Sequence, residues 1–138
     1  ILTDIPGSSA WFDCGMAAYS YEAKQALLRV RPETLMEHGA VSKETALEMV
    51  SGALITSGAN LAVAVTGIAG PGGGLPGKPV GTVWLAWGSQ EDLRTCCLRW
   101  PVERSLFQTM VAAAGLDMIR RNLLGIDSEP RYFSQRRA

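Results

Sequence analysis

The sequence has few of the residues that most often carry metal or hydrolytic chemistry. Its 138 residues include one histidine, His38. A single histidine gives no cluster with metal-ligand spacing, so the sequence predicts neither a metal nor another cofactor. His38 stands in "EHG", which is typical of a helix end, where the helix dipole favours a cation. We therefore interpret it as a capping or surface residue and not as the general base of a serine nucleophile.

Cysteine is too scarce and too poorly spaced for a disulfide framework. Cys14 stands alone, while Cys96 and Cys97 are adjacent and would point to opposite faces of a strand. Unpaired cysteines of this kind are typical of a reducing compartment, so we predict a cytoplasmic protein. The sequence also lacks a signal-peptide layout.

An excess of charge and a long apolar run are both missing. Thirteen basic residues balance thirteen acidic ones, which argues against nucleic acid as a bulk electrostatic partner. No apolar stretch reaches the roughly 20 residues that a membrane helix needs, so we predict no membrane partner. Apolar residues nevertheless make up 47% of the chain, which is enough for a globular core.

Helical and strand patterns alternate along the chain and predict an α/β fold with a single domain. We expect a strand over Asp13–Tyr19, a helix capped by Ser20, and a long helix capped by Ser42. The segment "NLAVAVTG" is typical of a buried strand, and "GTVWLAWGS" with "LRTCCLRWP" predicts a hairpin around "GSQED". A final helix is expected from about 102 to 124. We assign residues 1–125 to the domain and residues 126–138 to a polar, frayed tail.

A glycine-rich segment connects two of these apolar strands. "VTGIAGPGGGLPGKPVG", residues 65–81, holds seven glycines and three prolines. Glycine lets backbone N–H groups approach a ligand closely and point together at an anion. Lys78 is not followed by serine or threonine, so the segment is not a Walker A motif. A flexible connector is the alternative interpretation.

Two further segments offer candidates for acyl chemistry. "PGSSAWF" contains Ser8 and Ser9, and "YSYEAK" contains Tyr19 and Lys24. A serine becomes nucleophilic only when a base takes its proton, and a lysine can be that base if burial or a neighbouring cation lowers its pKa. The alternatives are a solvated surface lysine and a tyrosine in the core.

One arginine stands at the wrong end of its helix. Arg104 lies in the first turn of the final helix, where the dipole disfavours a cation. An anionic ligand shared with the helix N-terminus would explain this placement. The alternative is a surface ion pair with Glu103 or another acid.

Four segments together carry a resemblance to a known family: "LTDIPGSSAWF", "YSYEAK", "HGAVS" and "AVAVTGIAGPGGGLPGKPVGTVW". They are similar to the CinA C-terminal domain family of nicotinamide-nucleotide amidases, over roughly residues 1 to 110. The resemblance implies a three-layer α/β/α sandwich with a mixed β-sheet. It also implies hydrolysis of the carboxamide of nicotinamide mononucleotide to nicotinate mononucleotide and ammonia, a step in pyridine-nucleotide salvage.

The same resemblance implies roles for particular residues. Ser9 corresponds to the family's nucleophile, Lys24 to its base, and Tyr19 to the tyrosine that assists them. Ten residues separate Ser9 from Tyr19 and would span about 33 Å if extended. The chain must therefore turn back between them, or two subunits of a homo-oligomer must share the site.

The implied substrate contacts lie in the glycine loop and beyond it. Thr66 matches the threonine of the family's "TGIAGP", and we expect the backbone that includes Gly67 and Gly70 to stabilise an oxyanion. Arg104 matches a family arginine and would hold the phosphate of the small-molecule nucleotide substrate.

Several departures from the family pattern keep other functions open. Tyr21 replaces an asparagine, Cys14 replaces an arginine, and "PVER" replaces "GDR" at the final helix. The family's "ESCTGG" segment does not occur, so we expect an N-terminal segment to be missing. One alternative is a non-catalytic nucleotide-binding or regulatory module. Another is a serine–lysine peptidase or a broader amidase.

Overall fold

The computed structural model describes residues 2–137, and a side-chain cap begins three of its helices, at Ser20, Ser42 and Glu103. Ser20 Oγ accepts a hydrogen bond from Ala23 N–H at 3.1 Å, and Ser42 Oγ accepts one from Thr45 N–H at 3.2 Å. The caps predicted at Ser20 and Ser42 are therefore confirmed. In chain order the helices are a 3₁₀ turn (Ser8–Ala10), α1 (Tyr21–Leu28), α2 (Pro32–His38), α3 (Lys43–Ser57), α4 (Arg104–Leu123) and α5 (Arg131–Ser134).

A three-stranded sheet of order β1-β2-β3 lies at the centre of the described chain. Its strands are β1 (Ala62–Gly67), β2 (Thr82–Gly88) and β3 (Leu93–Arg99). Both neighbouring pairs are antiparallel, and Ala86 faces Ala64 on one side and Thr95 on the other. The predicted β2–β3 hairpin is confirmed.

Helices cover both faces of this sheet. The side chains of β2 alternate between the two faces, so each face can bury apolar residues against a helix. Val83 and Leu85 are buried in one cluster with Phe107 of α4. Ala86 is buried in a second cluster with Val50 of α3. This arrangement confirms the α/β class and its three layers, with α4 on one face and α3 on the other.

The strand predicted over Asp13–Tyr19 is wrong, and so is the mixed sheet. Residues 12–19 form no regular structure, and no parallel pair occurs within residues 2–137. A groove of about 690 Å³ separates residues 10–16 from residues 61–65, which include the start of β1. A strand requires a hydrogen-bonded neighbour, and this separation leaves the segment without one.

The prediction of a frayed tail over residues 126–138 is wrong for residues 131–137, which pack against the domain. Phe133 of α5 is 2% exposed and belongs to the α4 cluster. The backbone N–H of Arg99 donates to Arg136 O at 2.7 Å, so the last described residues run beside β3. The polar composition of this segment did not indicate that one of its aromatic side chains, Phe133, is buried.

A partly buried hydrogen bond attaches α5 to α4. Tyr132 Oη donates to Asp117 Oδ2 at 3.0 Å, and burial followed by this bond raises the pKa of Tyr132. Burial also pushes the pKa of Asp117 upward. Hydrogen bonds from Arg121, Arg120 and Tyr132 outweigh it and leave that pKa below its ordinary value.

We expect Tyr132→Phe to lower the free energy of unfolding by about 1–2 kcal/mol, because it removes a hydrogen bond to a charged carboxylate. Urea unfolding measures the change, and Tyr21→Phe is the control because the Tyr21 side chain is 44% exposed. Ionised Asp117 contributes to the free energy of unfolding. This contribution is fully present above the ordinary pKa of 3.8 and is lost as the pH falls through the lowered pKa of the folded state. Equal stabilities of the two variants at pH 7 would contradict this assignment.

No helix within residues 2–137 is both long enough and apolar enough to cross a membrane.

Candidate active site

Lys24 is buried in the first turns of α1. Its side chain turns back toward the helix N-terminus, where Nζ donates to Ala18 O at 2.7 Å and to Tyr19 O at 3.1 Å. Lys24 is only 6% exposed, and no carboxylate within the described chain pairs with it. Burial lowers the pKa of the Lys24 amine below its ordinary value of 10.5. The alternative of a solvated surface lysine is therefore wrong.

The two hydrogen bonds of the Lys24 amine are compatible with its neutral form. A neutral amine has two N–H donors and one lone pair, whereas an ammonium has three donors. The two carbonyls of Ala18 and Tyr19 match the two donors. The lone pair is then available to accept a proton from a bound group.

Tyr19 contributes its backbone to this arrangement, while its side chain points elsewhere. The residue is 90% exposed, and among residues 2–137 its hydroxyl makes no hydrogen bond to Lys24. The alternative interpretation of Tyr19 as a core residue is wrong.

Ser9 lies in the exposed 3₁₀ turn that precedes this segment. Gly7 enters the turn with φ +87°, and Ser8 O accepts hydrogen bonds from Trp11 N–H at 3.1 Å and Phe12 N–H at 2.8 Å. The Ser9 hydroxyl makes no hydrogen bond within residues 2–137, to Lys24 or to any other group. The two predicted members of the dyad are therefore not joined in this conformation of one chain.

The glycine loop runs from the end of β1 to the start of β2, and close approach explains two of its glycines. A Cβ on Gly67 would lie 2.9 Å from Thr82 O. Gly70 has φ +77°, and a Cβ there would lie 2.6 Å from Val80 Cγ1. The segment is thus folded back on itself, and the alternative of a loose connector does not describe it.

Thr66 fixes the end of β1 to the turn before α3. It is buried, and its Oγ1 donates to Ala40 O at 2.6 Å. That bond uses the hydroxyl proton, so the oxygen can still accept a hydrogen bond from a ligand.

The loop offers backbone donors for an anion. Five N–H groups in its first half donate no hydrogen bond to any residue between 2 and 137. They belong to Ala69, Gly70, Gly72, Gly73 and Gly74. Donors of this kind can stabilise a developing oxyanion or a phosphate.

Arg104 joins the loop to the first turn of α4. Its Nη1 donates to Gly70 O at 2.9 Å, so two of the predicted substrate-binding residues lie in contact. Glu103 instead caps the helix by accepting from Ser105 N–H at 3.0 Å, and no ion pair links it to Arg104 within the described chain. The predicted alternative of a Glu103–Arg104 pair is wrong.

Sequence reasoning missed one member of this region. Lys78, considered only as a Walker lysine, reaches from the glycine loop to His38 O at 2.6 Å. Its place at the end of "LPGK", a turn sequence with Pro76 and Gly77, was the available signal. His38 is half-buried, and among the residues described no group of histidine, cysteine and acidic side chains could hold a metal.

The fold and this region define the class of the chain: a three-layer α/β domain with a glycine loop between adjacent strands. Residues 1–123 match the CinA C-terminal domain, and the chain belongs to that family. A CinA-like protein of Colwellia psychrerythraea is 48% identical over 135 residues, which are 98% of this chain and 31% of that protein. The chain thus spans about a third of the length of this relative.

Two other comparisons bear on fold and activity. The solved structure of a competence/damage-inducible protein from Agrobacterium tumefaciens superposes with a TM-score of 0.83 at 43% identity, covering 92% of this chain and 76% of that one. The nicotinamide-nucleotide amidohydrolase PncC of Escherichia coli is 55% identical over 87 residues, which are 63% of this chain and 53% of PncC. The predicted family is therefore confirmed.

Proposed function

We propose that the chain is a nicotinamide-nucleotide amidase that converts nicotinamide mononucleotide to nicotinate mononucleotide and ammonia. The observation that carries the proposal is the buried Lys24 amine, whose only hydrogen bonds within residues 2–137 run to two backbone carbonyls. The similarity to PncC supports the choice of substrate. The reaction would serve pyridine-nucleotide salvage in a reducing cytoplasm, where the free cysteines stay reduced.

In the proposed mechanism, Ser9 Oγ attacks the carboxamide carbon while neutral Lys24 takes the hydroxyl proton. The free amides of the loop stabilise the oxyanion, and each such donor is commonly worth about 3 kcal/mol. Lys24 then gives the proton to the departing ammonia, which leaves an acyl-enzyme. Water, deprotonated by Lys24, attacks the acyl carbon. Lys24 then returns that proton to Ser9 Oγ as the acyl bond breaks, which releases the acid product and restores neutral Lys24 and the Ser9 hydroxyl. Tyr19 holds the lysine through its backbone carbonyl, and a relay by its hydroxyl would require the side chain to turn toward Lys24.

The mechanism requires Ser9 and Lys24 to come together. Residues 8–18 lie outside helices and strands apart from one 3₁₀ turn, so this segment can move at low cost. We propose either that it closes when substrate binds or that a second copy in a homo-oligomer supplies the serine. The cationic pyridinium would also disfavour a protonated Lys24, since a like charge lowers its pKa.

The test is ammonia release from nicotinamide mononucleotide by the whole chain, with formation of nicotinate mononucleotide followed by chromatography. Nicotinamide riboside, which lacks the phosphate, and a panel of simple amides and short peptides define the substrate class. Turnover of peptides with none of the nucleotide would support the serine–lysine peptidase instead.

One observation favours a second function. Because no hydrogen bond joins Ser9 to Lys24, the chain could bind the nucleotide without hydrolysing it, as a regulatory module. Calorimetry beside the ammonia assay separates the two functions. Binding with no ammonia release over many hours would establish the regulatory module and overturn the amidase.

For the phosphate, we expect Arg104→Gln to raise KM about 10- to 100-fold with a smaller change in kcat, because a charge-assisted hydrogen bond to the phosphate is lost. Steady-state kinetics on the nucleotide measure this. The control is Arg99→Gln, at an exposed position of β3. An unchanged KM would remove Arg104 from the phosphate site.

A further inference from the structure

The glycine loop is closed at its base by the backbone and at its tip by a self-contained turn. At the base, Ile68 N–H donates to Thr82 O and Gly81 N–H donates to Ile68 O, both at 2.8 Å. At the tip, Leu75 and Lys78 exchange two backbone hydrogen bonds of 3.0 and 2.9 Å. Neither set of bonds connects the tip to the rest of the domain. The free amides at 69–74 lie between these two fixed parts.

A side chain makes that connection. Lys78 Nζ donates to His38 O at 2.6 Å, which ties the loop tip to the C-terminal end of α2. Within residues 2–137 the Lys78 amine pairs with no carboxylate and hydrogen-bonds to this carbonyl alone. The C-terminal end of a helix carries partial negative charge, which favours an ammonium beside the last carbonyls of α2.

The acceptor belongs to a firmly held turn. Its next carbonyl, Gly39 O, accepts from Ser42 Oγ at 3.0 Å and from Thr45 Oγ1 at 2.8 Å. The one after that, Ala40 O, accepts from Thr66 at the end of β1. The turn is thus bonded to α3, to the sheet and to the loop. Through Lys78, the loop tip is therefore attached to a turn that α3 and β1 also hold in place.

The Lys78 amine also lies close to the backbone of Gly39. The backbone there has φ +76°, and a Cβ built on it would lie 3.7 Å from Lys78 Nζ. The amine therefore lies directly against the turn backbone.

We propose that Lys78 is a positioning residue that holds the glycine loop in the conformation in which its free amides face the reacting carboxamide. It acts through the loop, without touching the substrate. The inference rests on the proposed amidase function for its kinetic consequence, while the tether itself is independent of that function.

The experiment compares Lys78→Met with Lys78→Arg, and uses Lys43→Met, at the exposed start of α3, as the control. We expect Lys78→Met to lower kcat for nicotinamide mononucleotide about 10- to 100-fold with little change in KM, because the oxyanion donors are no longer held in place. Lys78→Arg should restore kcat to within about threefold, since a guanidinium can donate to the same carbonyl. Arg104→Gln is expected to show the opposite split, with KM changed more than kcat.

Hydrogen exchange supplies a readout that does not need activity. The hydrogen-bonded amides of Ile68, Leu75 and Gly81 should exchange at least about tenfold faster in Lys78→Met than in the wild type, and at wild-type rates in Lys78→Arg. Unchanged exchange in Lys78→Met would overturn the tether. Faster exchange with an unchanged kcat would overturn the positioning role. If the wild type releases no ammonia, the proposed function fails, and exchange alone still decides the tether.

Discussion

Lys24→Met should abolish ammonia release, lowering kcat/KM by about 10³-fold or more, while leaving the fold intact. The loss follows because methionine cannot accept the proton of Ser9, and general-base groups contribute about 10²- to 10⁴-fold. The fold should survive because the position is buried and methionine matches the lysine stem in length. Near-normal turnover would end the dyad proposal.

The matched control is Lys43→Met, which makes the same substitution at an exposed position and should retain wild-type activity. Ser9→Ala should match the Lys24 variant in its loss of activity, because the two residues act in one step. A mixture of the two inactive variants then distinguishes the two ways in which Ser9 and Lys24 could come together, within one chain or between two copies. Recovery of activity on mixing means that two copies share it, and no recovery means that residues 8–18 move within one chain.

The pH dependence of the wild type should report the same amine. Lys24 must be neutral to act, so kcat/KM should rise with pH through its lowered pKa, at a pH below 10.5. Stability should change in the same direction. Between the lowered pKa and 10.5 the unfolded chain binds more protons than the folded one, so the free energy of unfolding rises with pH. Lys24→Met should lack that rise, which unfolding curves at several pH values can test.

The sequence predicted the local parts of this region better than their assembly. Capping serines, the β2–β3 hairpin and the glycine loop each depend on a short run of residues, and each is present. The contacts of Lys24 also depend on a short run, because Ala18 and Tyr19 immediately precede α1. The strand predicted over residues 13–19 would instead need a neighbouring strand to pair with. Residue patterns do not show whether such a neighbour is within hydrogen-bonding distance.

Long-range contacts account for most of what the sequence could not predict. The Lys78–His38 bond joins residues 40 positions apart, and the Arg104–Gly70 bond joins residues 34 apart. Neither follows from helical or strand spacing. The end of the chain was misjudged for a related reason, since its polar residues outnumber the one phenylalanine that packs under β3. A single buried aromatic side chain outweighs many exposed polar ones in free energy.

Gly52→Ala is the stability change that we expect to be largest among the glycines of the helices. In the middle of a helix this substitution normally stabilises by up to about 1 kcal/mol. Here a Cβ would lie 1.7 Å from the carbonyl oxygen of Leu28, because the end of α1 packs directly on the backbone of α3. A backbone oxygen cannot rotate away as a side chain can, so the two helices must separate.

We expect Gly52→Ala to destabilise the domain by about 3 kcal/mol, near the upper end of the cost of overpacking a core. Urea unfolding measures the change, and Ser51→Ala, one position earlier on α3, serves as the control for helix propensity. Because α1 carries Lys24, a forced separation of α1 from α3 should also disturb the amine and lower activity in the molecules that remain folded. A stabilised Gly52→Ala would show that the two helices do not pack this closely, and the placement of Lys24 would then lack its support.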